Sequence, residues 1–402
     1  MRITTNMMYD MGVARLADQQ SALSKTQQQV ATGRKILTPA DDPSGAANAL
    51  QVSQADGLVM QHAENRNLAR NSLGIEDGVL QSVSDLMQAI KTTVIGAGNG
   101  TLGNAERGFM ASELRGQLDQ LIGLANSTDG NGNYLFSGFQ SHTVPFARSG
   151  STVSYAGDNG MRALQVSGER QMAVGDSGQA LFLSVPEGNG RFVAEAAAGN
   201  TGTGMIGAGS LTDPALFTGQ DYQIDFTVAG ATTTYSITNV TTGTVLSSGN
   251  AYTDGSAITV DGMRVDIKGS PANGDQFTLS PSSRKSVFDV VNDLISALST
   301  PVVTSIDSAK LNNALTMAGS ELSNAFDKVL ETRASVGARL KELDALEDTG
   351  SYMHLQHQTR LSELQDLDYN EALSKLAMQQ ITLEAAQKSF IQVSGLSLFK
   401  YL

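Results

Sequence analysis

Leu376-Ala-Met-Gln-Gln-Ile-Thr-Leu383-Glu-Ala-Ala-Gln-Lys-Ser-Phe390 is the stretch that decides how this chain is built. Leu376, Leu383 and Phe390 stand seven apart. Leu16-Ala-Asp-Gln-Gln-Ser-Ala-Leu23-Ser-Lys-Thr-Gln-Gln-Gln-Val30 repeats that spacing at the opposite end. A seven-residue period keeps one seam of a helix facing a partner helix. The intermediate positions read as Val13 and Gln20 at one end and Leu373 and Gln380 at the other, so much of the second row is polar. A helix of ~35 residues reaches ~50 Å, and so thin a seam cannot hold that length without neighbours. The two ends are expected to pair as a terminal hairpin, either sufficient in itself or completed by helices of other copies. Gln20, Gln27 and Gln380 at seam positions would weaken a free coiled coil and allow polar contacts between neighbours.

Outward from these ends, proline and glycine mark the organisation. The eight prolines stand at 39, 43, 145, 186, 214, 271, 281 and 301, leaving 44–144 and 302–402 free of them. Helix interiors exclude proline because it removes a backbone hydrogen bond and clashes with the preceding turn. Of the 41 glycines, 24 lie between Gly130 and Gly274. Two helical arms therefore flank a glycine-rich centre. In the arms, Ile75, Val79, Val83, Leu86, Ile90 and Val94 recur at helical spacing. Met110, Leu114, Leu118, Leu121 and Ala125 do the same beyond a loop at 96–103. On the return side, Val287, Val291, Leu294 and Leu298 form a short stripe. Leu322, Phe326, Val329, Val336, Leu340 and Leu343 form a longer one, interrupted by Arg333.

The centre reads as strands. Tyr222, Ile224, Phe226 and Val228 alternate with polar residues, and Thr234-Tyr-Ser-Ile follows after Ala229-Gly-Ala, which suits a hairpin. Thr152-Val-Ser-Tyr-Ala runs into a turn at Asp158-Asn-Gly160. Asp261-Gly262 between Ile258-Thr-Val and Met263-Arg-Val-Asp-Ile is a second hairpin signal, because Asp-Gly readily takes the positive φ of a tight turn. Gln276-Phe-Thr-Leu ends the set. The expected class is α+β: a long terminal helical hairpin and a helical bundle formed by both chain ends, with an all-β domain inserted.

Composition excludes much chemistry. With 27 Lys+Arg against 40 Asp+Glu the formal charge is −13, which repels phosphate backbones and argues against nucleic acid as a partner. The absence of cysteine removes disulfides, thiolate nucleophiles and Cys-ligated metals. No apolar run is long enough to span a bilayer, and Met1-Arg-Ile-Thr-Thr-Asn-Met-Met lacks the apolar core of a secretory signal. Motifs fail singly. Gly202-Thr-Gly-Met-Ile-Gly207 matches a dinucleotide fingerprint as a string, but lacks the strand before and the helix after that the site needs. Asp129, Asn131 and Asn133 imitate a calcium loop with Tyr134 where glycine belongs and Gln140 where glutamate belongs. His354 and His357 share a helical face with no third ligand in the neighbouring sequence, which reads as a solvated face rather than zinc. Asn239-Val-Thr241 is a formal glycosylation acceptor. No Gly-x-Ser-x-Gly elbow accompanies the serines. No cofactor, no metal and no enzymatic constellation are expected.

Ala31-Thr-Gly-Arg-Lys-Ile-Leu-Thr-Pro-Ala-Asp-Asp-Pro-Ser-Gly-Ala-Ala47 resembles the stretch with which flagellin-family proteins close their first helix. Leu367-Asp-Tyr-Asn-Glu-Ala, Leu383-Glu-Ala-Ala-Gln and Gly395-Leu-Ser-Leu-Phe are similar to the last helix of the same family. Tyr134-Leu-Phe-Ser-Gly-Phe139 and Leu396-Ser-Leu-Phe-Lys-Tyr-Leu402 point, within that family, to its hook–filament junction members. The resemblance spans roughly residues 1–145 and 285–402.

It implies an extracellular structural part of the bacterial flagellum, exported through the flagellar type III apparatus without a cleaved signal peptide. It implies self-association into a ring, contacts with a neighbouring hook-associated junction protein and with flagellin, and an export chaperone on the C-terminal segment. The expected molecule is linear. Residues 1–40 with 361–402 form the terminal assembly domain, 41–130 with 286–360 the helical bundle, and 131–285 the β-rich outer domain. The expected assembly residues are Leu16, Leu23, Val30, Leu376, Leu383 and Phe390, with the tail residues Leu396, Leu398, Phe399 and Leu402. Two alternatives stand beside this reading: a flagellin-type filament subunit, and an adhesive or binding module carried by the β centre.

Overall fold

The computed structural model describes residues 5–395. Three helices open the chain: α1 (Thr5–Thr32), α2 (Pro43–Ala97) and α3 (Asn104–Ala125). There follow β1 (Phe146–Ser149), β2 (Thr152–Tyr155), β3 (Ala163–Gln165), β4 (Gln171–Ala173), the short α4 (Gly178–Phe182), β5 (Val185–Pro186), β6 (Phe192–Ala196), β7 (Met205–Ile206) and β8 (Ser210–Leu211). The longer strands are β9 (Tyr222–Ala229), β10 (Thr232–Asn239), β11 (Thr244–Ala251), β12 (Ala257–Val260), β13 (Met263–Lys268) and β14 (Gln276–Pro281), and β15 (Arg284–Lys285) ends the series. Three helices return: α5 (Val287–Ser299), α6 (Ser305–Gln365) and α7 (Tyr369–Gly395). The fold is α+β, with the strands inserted between helices from both ends of the chain. It divides into two compact units, Met1–Glu64 with Ala345–Leu402 and Asn65–Asp344, so that α2 and α6 each contribute to both.

In the larger unit, β11-β10-β9-β14-β6 form an antiparallel sheet, and β12-β13-β7 a smaller one with β8 also on β13. Tyr222, Ile224 and Phe226 are buried as their alternation requires, and they share one core with Ile237, Val265, Phe277 and Leu279. The Asp261-Gly262 turn takes φ of 53° and 75°, the doubly positive geometry of a two-residue hairpin joining β12 to β13. A second cluster, of aromatic rings, joins strands to helices: Phe146 lies 5.4 Å from Phe182 and 5.2 Å from Phe288 between ring centroids. Helix α5 starts on Ser286, whose Oγ accepts the Phe288 N–H, and buries Val287, Val291, Leu294 and Leu298.

The α2 stripe differs from the expected one. Val83, Leu86, Ile90 and Val94 are buried, but Ile75 is 38% exposed and Val79 only half-buried. Leu73, Glu76 and Leu80 take the core positions instead. One of these core positions is held by a buried carboxylate, which apolar periodicity does not register. In α6, Leu322, Val329, Val336 and Leu343 are buried, and Arg333 reaches Asp77 at 3.1 Å from a half-buried position.

Candidate assembly surface

The smaller unit is helical among its described residues, and α1 packs antiparallel on α7 within it. The join between α6 and α7 meets the end of α1. Gly33 C=O accepts the Leu367 N–H, Gln365 C=O accepts the Lys35 N–H, and Arg34 stands opposite Asp366. Asp368 Oδ1 then accepts the N–H groups of Asn370 and Glu371, capping the start of α7. Between α1 and α2, Asp41 closes the loop by accepting the N–H groups of Leu37 and Thr38, and Lys25 reaches it at 2.5 Å. Those contacts, led by the Lys25 hydrogen bond, hold the Asp41 carboxyl down at about 2.

At the far end of the hairpin, the Phe390 ring lies on Gly12. A Cβ there would come within 2.8 Å of the ring, so only glycine admits the contact as it stands. Tyr9 flanks the same ring at 5.2 Å between centroids. With Gly12 opposite Phe390, counting along the two helices sets Leu16 level with Ala386, Gln19 with Leu383, Leu23 with Gln379, Thr26 with Leu376 and Val30 with Ala372, while the Arg34–Asp366 bridge beyond the helix ends stands two residues out of that register. Large residues thus meet small or polar ones across the seam, which lets the helices approach.

Leu16, Leu23, Val30, Leu376, Leu383 and Phe390 are all half-buried in this hairpin. The second row is not the expected one. Val13, Gln20, Gln27, Leu373 and Gln380 point to solvent; Gly12, Gln19, Thr26, Ala372, Gln379 and Ala386 fill the seam. The seven-residue repeat places one row and leaves the other ambiguous between three and four residues back, and packing chose four. The Oε1 atoms of Gln19 and Gln379 are buried without a hydrogen-bond partner. Leu396, Leu398, Phe399 and Leu402 lie outside the described residues.

What the hairpin leaves uncovered is apolar. Met7, Met11 and Val13 on α1 are 55%, 44% and 44% exposed, and Met378 and Ile381 on α7 are 71% and 68% exposed. In the same unit Leu50 and Leu58 of α2 and Tyr352 and Leu355 of α6 are also exposed. Apart from Val13, these outward residues carried no periodic signal of their own, since a helix that is apolar on more than one side does not show a single stripe.

The chemical motifs turn out to be structural. The N–H groups of Thr201 and Gly202, at the head of the glycine string, donate to Asp275 at 2.8 and 3.0 Å, and Ala272 N–H adds a third bond at 2.8 Å. A buried carboxylate therefore fills the place where a phosphate would need to sit. Asp129 accepts the N–H groups of Asn131 and Asn133 and the Asn133 amide within its own loop. Asn239 is buried, its Oδ1 accepting the Thr242 N–H. His354 and His357 do not form a solvated face. Both are directed at Asp56 of α2, at 2.7 and 3.8 Å, and Gln358 donates to the other carboxylate oxygen. Among the described residues no cluster of three or more ligating side chains is arranged to hold a metal ion, and no helix is long and apolar enough to cross a membrane.

Residues 3–141 match the bacterial flagellin N-terminal helical region, and residues 196–281 match the D2-like domain of flagellar hook-associated protein 1. Flagellar hook-associated protein 3 of Salmonella typhimurium is 28% identical over 401 residues, covering 100% of this chain and 99% of that protein. Among solved structures, hook-associated protein 3 of Legionella pneumophila superposes with a TM-score of 0.74 at 28% identity, over 78% of this chain and 98% of that one. FlgL of Xanthomonas campestris superposes with a TM-score of 0.72 at 31% identity, over 77% of this chain and 99% of that one. The chain belongs to the family of flagellar hook-associated protein 3, the FlgL proteins.

Proposed function

We propose that this chain is a structural subunit of the bacterial flagellum that joins the hook side to the flagellin filament, working by packing rather than by catalysis. The observation that carries the reading is the uncovered apolar surface of the α1–α7 hairpin, in a family whose members are named for the hook and its junction. Side chains as exposed as Met378 and Ile381 are costly on a free surface and gain most from a partner. Subunits associate through this surface into a ring, seated on a hook-associated neighbour on one side and receiving flagellin on the other. The seam residues Leu16, Leu23, Val30, Leu376, Leu383 and Phe390 serve the interface by holding the hairpin together. The tail residues Leu396, Leu398, Phe399 and Leu402 are the apolar segment an export chaperone would cover. Export through the flagellar type III apparatus, with no cleaved signal, delivers the chain outside the cell.

The test uses cells lacking this chain, with hooks viewed by electron microscopy and flagellin blotted in the medium. Bare hooks and spilled flagellin are expected; intact filaments would overturn the junction reading. Two variants separate interface from hairpin. Ile381→Asp should leave export and helix content unchanged and abolish incorporation at hook tips. Leu383→Asp should also lose incorporation, but with loss of helix content. Normal incorporation of Ile381→Asp would remove the outward surface from the proposal.

A further inference from the structure

Strand β6 ends the five-stranded sheet, and its outer edge, which touches β7 without pairing to it, borders a cleft also lined by Gly204 and Ile206. Its ladder with β14 shows which peptide groups are spent. Ala197 N–H donates to Gln276 C=O, and Ser282 N–H donates to Arg191 C=O. In an antiparallel pair such bonded positions alternate, so Val193 and Glu195 turn their peptide groups toward β14, while Phe192, Ala194 and Ala196 turn theirs away. Those of Phe192 are satisfied by Asn189, through both the side-chain oxygen and the backbone N–H. Those of Ala194 and Ala196 have no partner outside the strand ladder among the described residues.

The cleft has a volume of about 630 Å³, and α6 forms its far wall. The two walls match in length. From Lys310, which donates to Ala198 C=O, to Glu321, α6 advances eleven residues, or about 16 Å. From Ala198, in the turn that follows β6, back to Val193 the chain spans five residues and at most about the same distance. Between those ends the helix presents Asn313, which is bonded to Ile206 N–H and Gly204 C=O, then Ala314, Met317 and the buried Ala318. Charge differs along the cleft. At the β6 N-terminal end, three carboxylates, Glu187, Asp293 and the buried Glu321, surround Lys285, which lies 2.7 Å from Asp293 and 3.4 Å from Glu321. Lys310 stands at the other end.

We propose that this cleft is a peptide-binding groove, in which an extended segment of about five residues from another polypeptide adds as a sixth strand to the β6 edge, with a basic side chain at the Glu187–Glu321 end and an acidic one at the Lys310 end. An edge strand facing a helix across a groove is the arrangement that accepts strands by main-chain hydrogen bonding. The free N–H and C=O groups of Ala194 and Ala196 supply four such bonds, and the charged ends supply direction. The groove belongs to the larger unit and stands independently of the junction reading.

The experiment is fluorescence anisotropy on the full-length chain with two labelled, end-capped pentapeptides, Glu-Val-Ala-Val-Lys and Lys-Val-Ala-Val-Glu. An antiparallel addition favours the first and a parallel one the second. Saturable binding of one, at least about tenfold tighter than the other, is expected. Ala196→Pro removes one outward N–H and leaves the β14 ladder intact, since proline is tolerated where an edge N–H points away from the sheet. It should weaken binding about tenfold. Ala314→Trp should abolish binding by filling the groove, with circular dichroism unchanged from wild type. Failure of both peptides to bind overturns the proposal, as does undiminished binding by Ala314→Trp. Displacement of the peptide by free butylamine at equal concentration would reduce the site to a cation pocket, and would overturn it too.

Discussion

Glu76 shows what one residue contributes against the grain of its surroundings. It stands between Leu73 and Leu80 on the core face of α2, 1% exposed. Its Oε1 accepts the Asp176 N–H at 2.9 Å, and its Oε2 has no partner. Burial, and then repulsion from Asp176, push its carboxyl up to about 7 from an ordinary 4.5, against a smaller pull from Arg339, which pairs with Asp176 at 2.5 Å. The folded state thus holds a proton that the unfolded state releases between those two values. The stabilisation from that proton is complete below 4.5 and lost as pH rises through about 7. Glu76→Gln keeps the shape without the charge. It should leave stability nearly unchanged at pH 4 and raise it at pH 8, by at most about 3 kcal/mol. Urea midpoints at the two pH values check this; an equal shift at both would mean that ionisation of Glu76 plays no part.

At the scale of the element, the hairpin of α1 and α7 is weakened by its own glutamines. A buried polar atom left without a partner costs about 1–3 kcal/mol, and the seam holds two, on Gln19 and Gln379. Replacing both with leucine should raise the stability of the hairpin by about 2–4 kcal/mol. The check is the loss of helical ellipticity with urea, in which a separate low-urea step should move upward; an unmoved step would show that water already satisfies those amides. These glutamines also mark how far the sequence could be read. The seven-residue spacing located Leu16, Leu23 and Val30 and their counterparts on α7, because large apolar residues carry the period. Gln19, Thr26, Ala372 and Ala386 were not legible, since small and polar residues fill a seam without announcing it. Between Tyr222 and Leu279, β9, β10, β12, β13 and β14 were legible because alternation and an Asp-Gly turn are local signals, whereas β11, Thr-Val-Leu-Ser-Ser-Gly-Asn-Ala, carries no such alternation and was not legible. Glu76 with Asp176, and the histidine pair with Asp56, were not, because each depends on a partner about 100 residues away or more.

For the whole molecule, the distribution of burial separates the two compact units. Among the described residues of the smaller one, the buried side chains are Thr26, Ala49, Asp56 and Ala372. None is a large hydrophobic residue. The larger unit buries Phe136, Phe146, Phe182, Phe192, Phe226, Phe277 and Phe288 along with most of the leucines of its stripes. Hydrophobic burial is the main term opposing chain entropy, so cooperative stability belongs to residues 65–344, and the smaller unit has little large apolar burial of its own among the described residues. Local opening should follow the same division. In hydrogen exchange on the free, full-length chain at neutral pH, amides of α1 and α7 should exchange within minutes, whereas those of β9, β10, β14 and the 80–94 stretch of α2 hold for hours. On isolated hook–filament junctions the α1 and α7 amides should become as slow as the rest, because subunit contacts then supply the missing burial. Equal protection of both units in the free chain would show that the hairpin is stable alone, and the uncovered faces of Met378 and Ile381 would then have to bind a surface already formed rather than complete one.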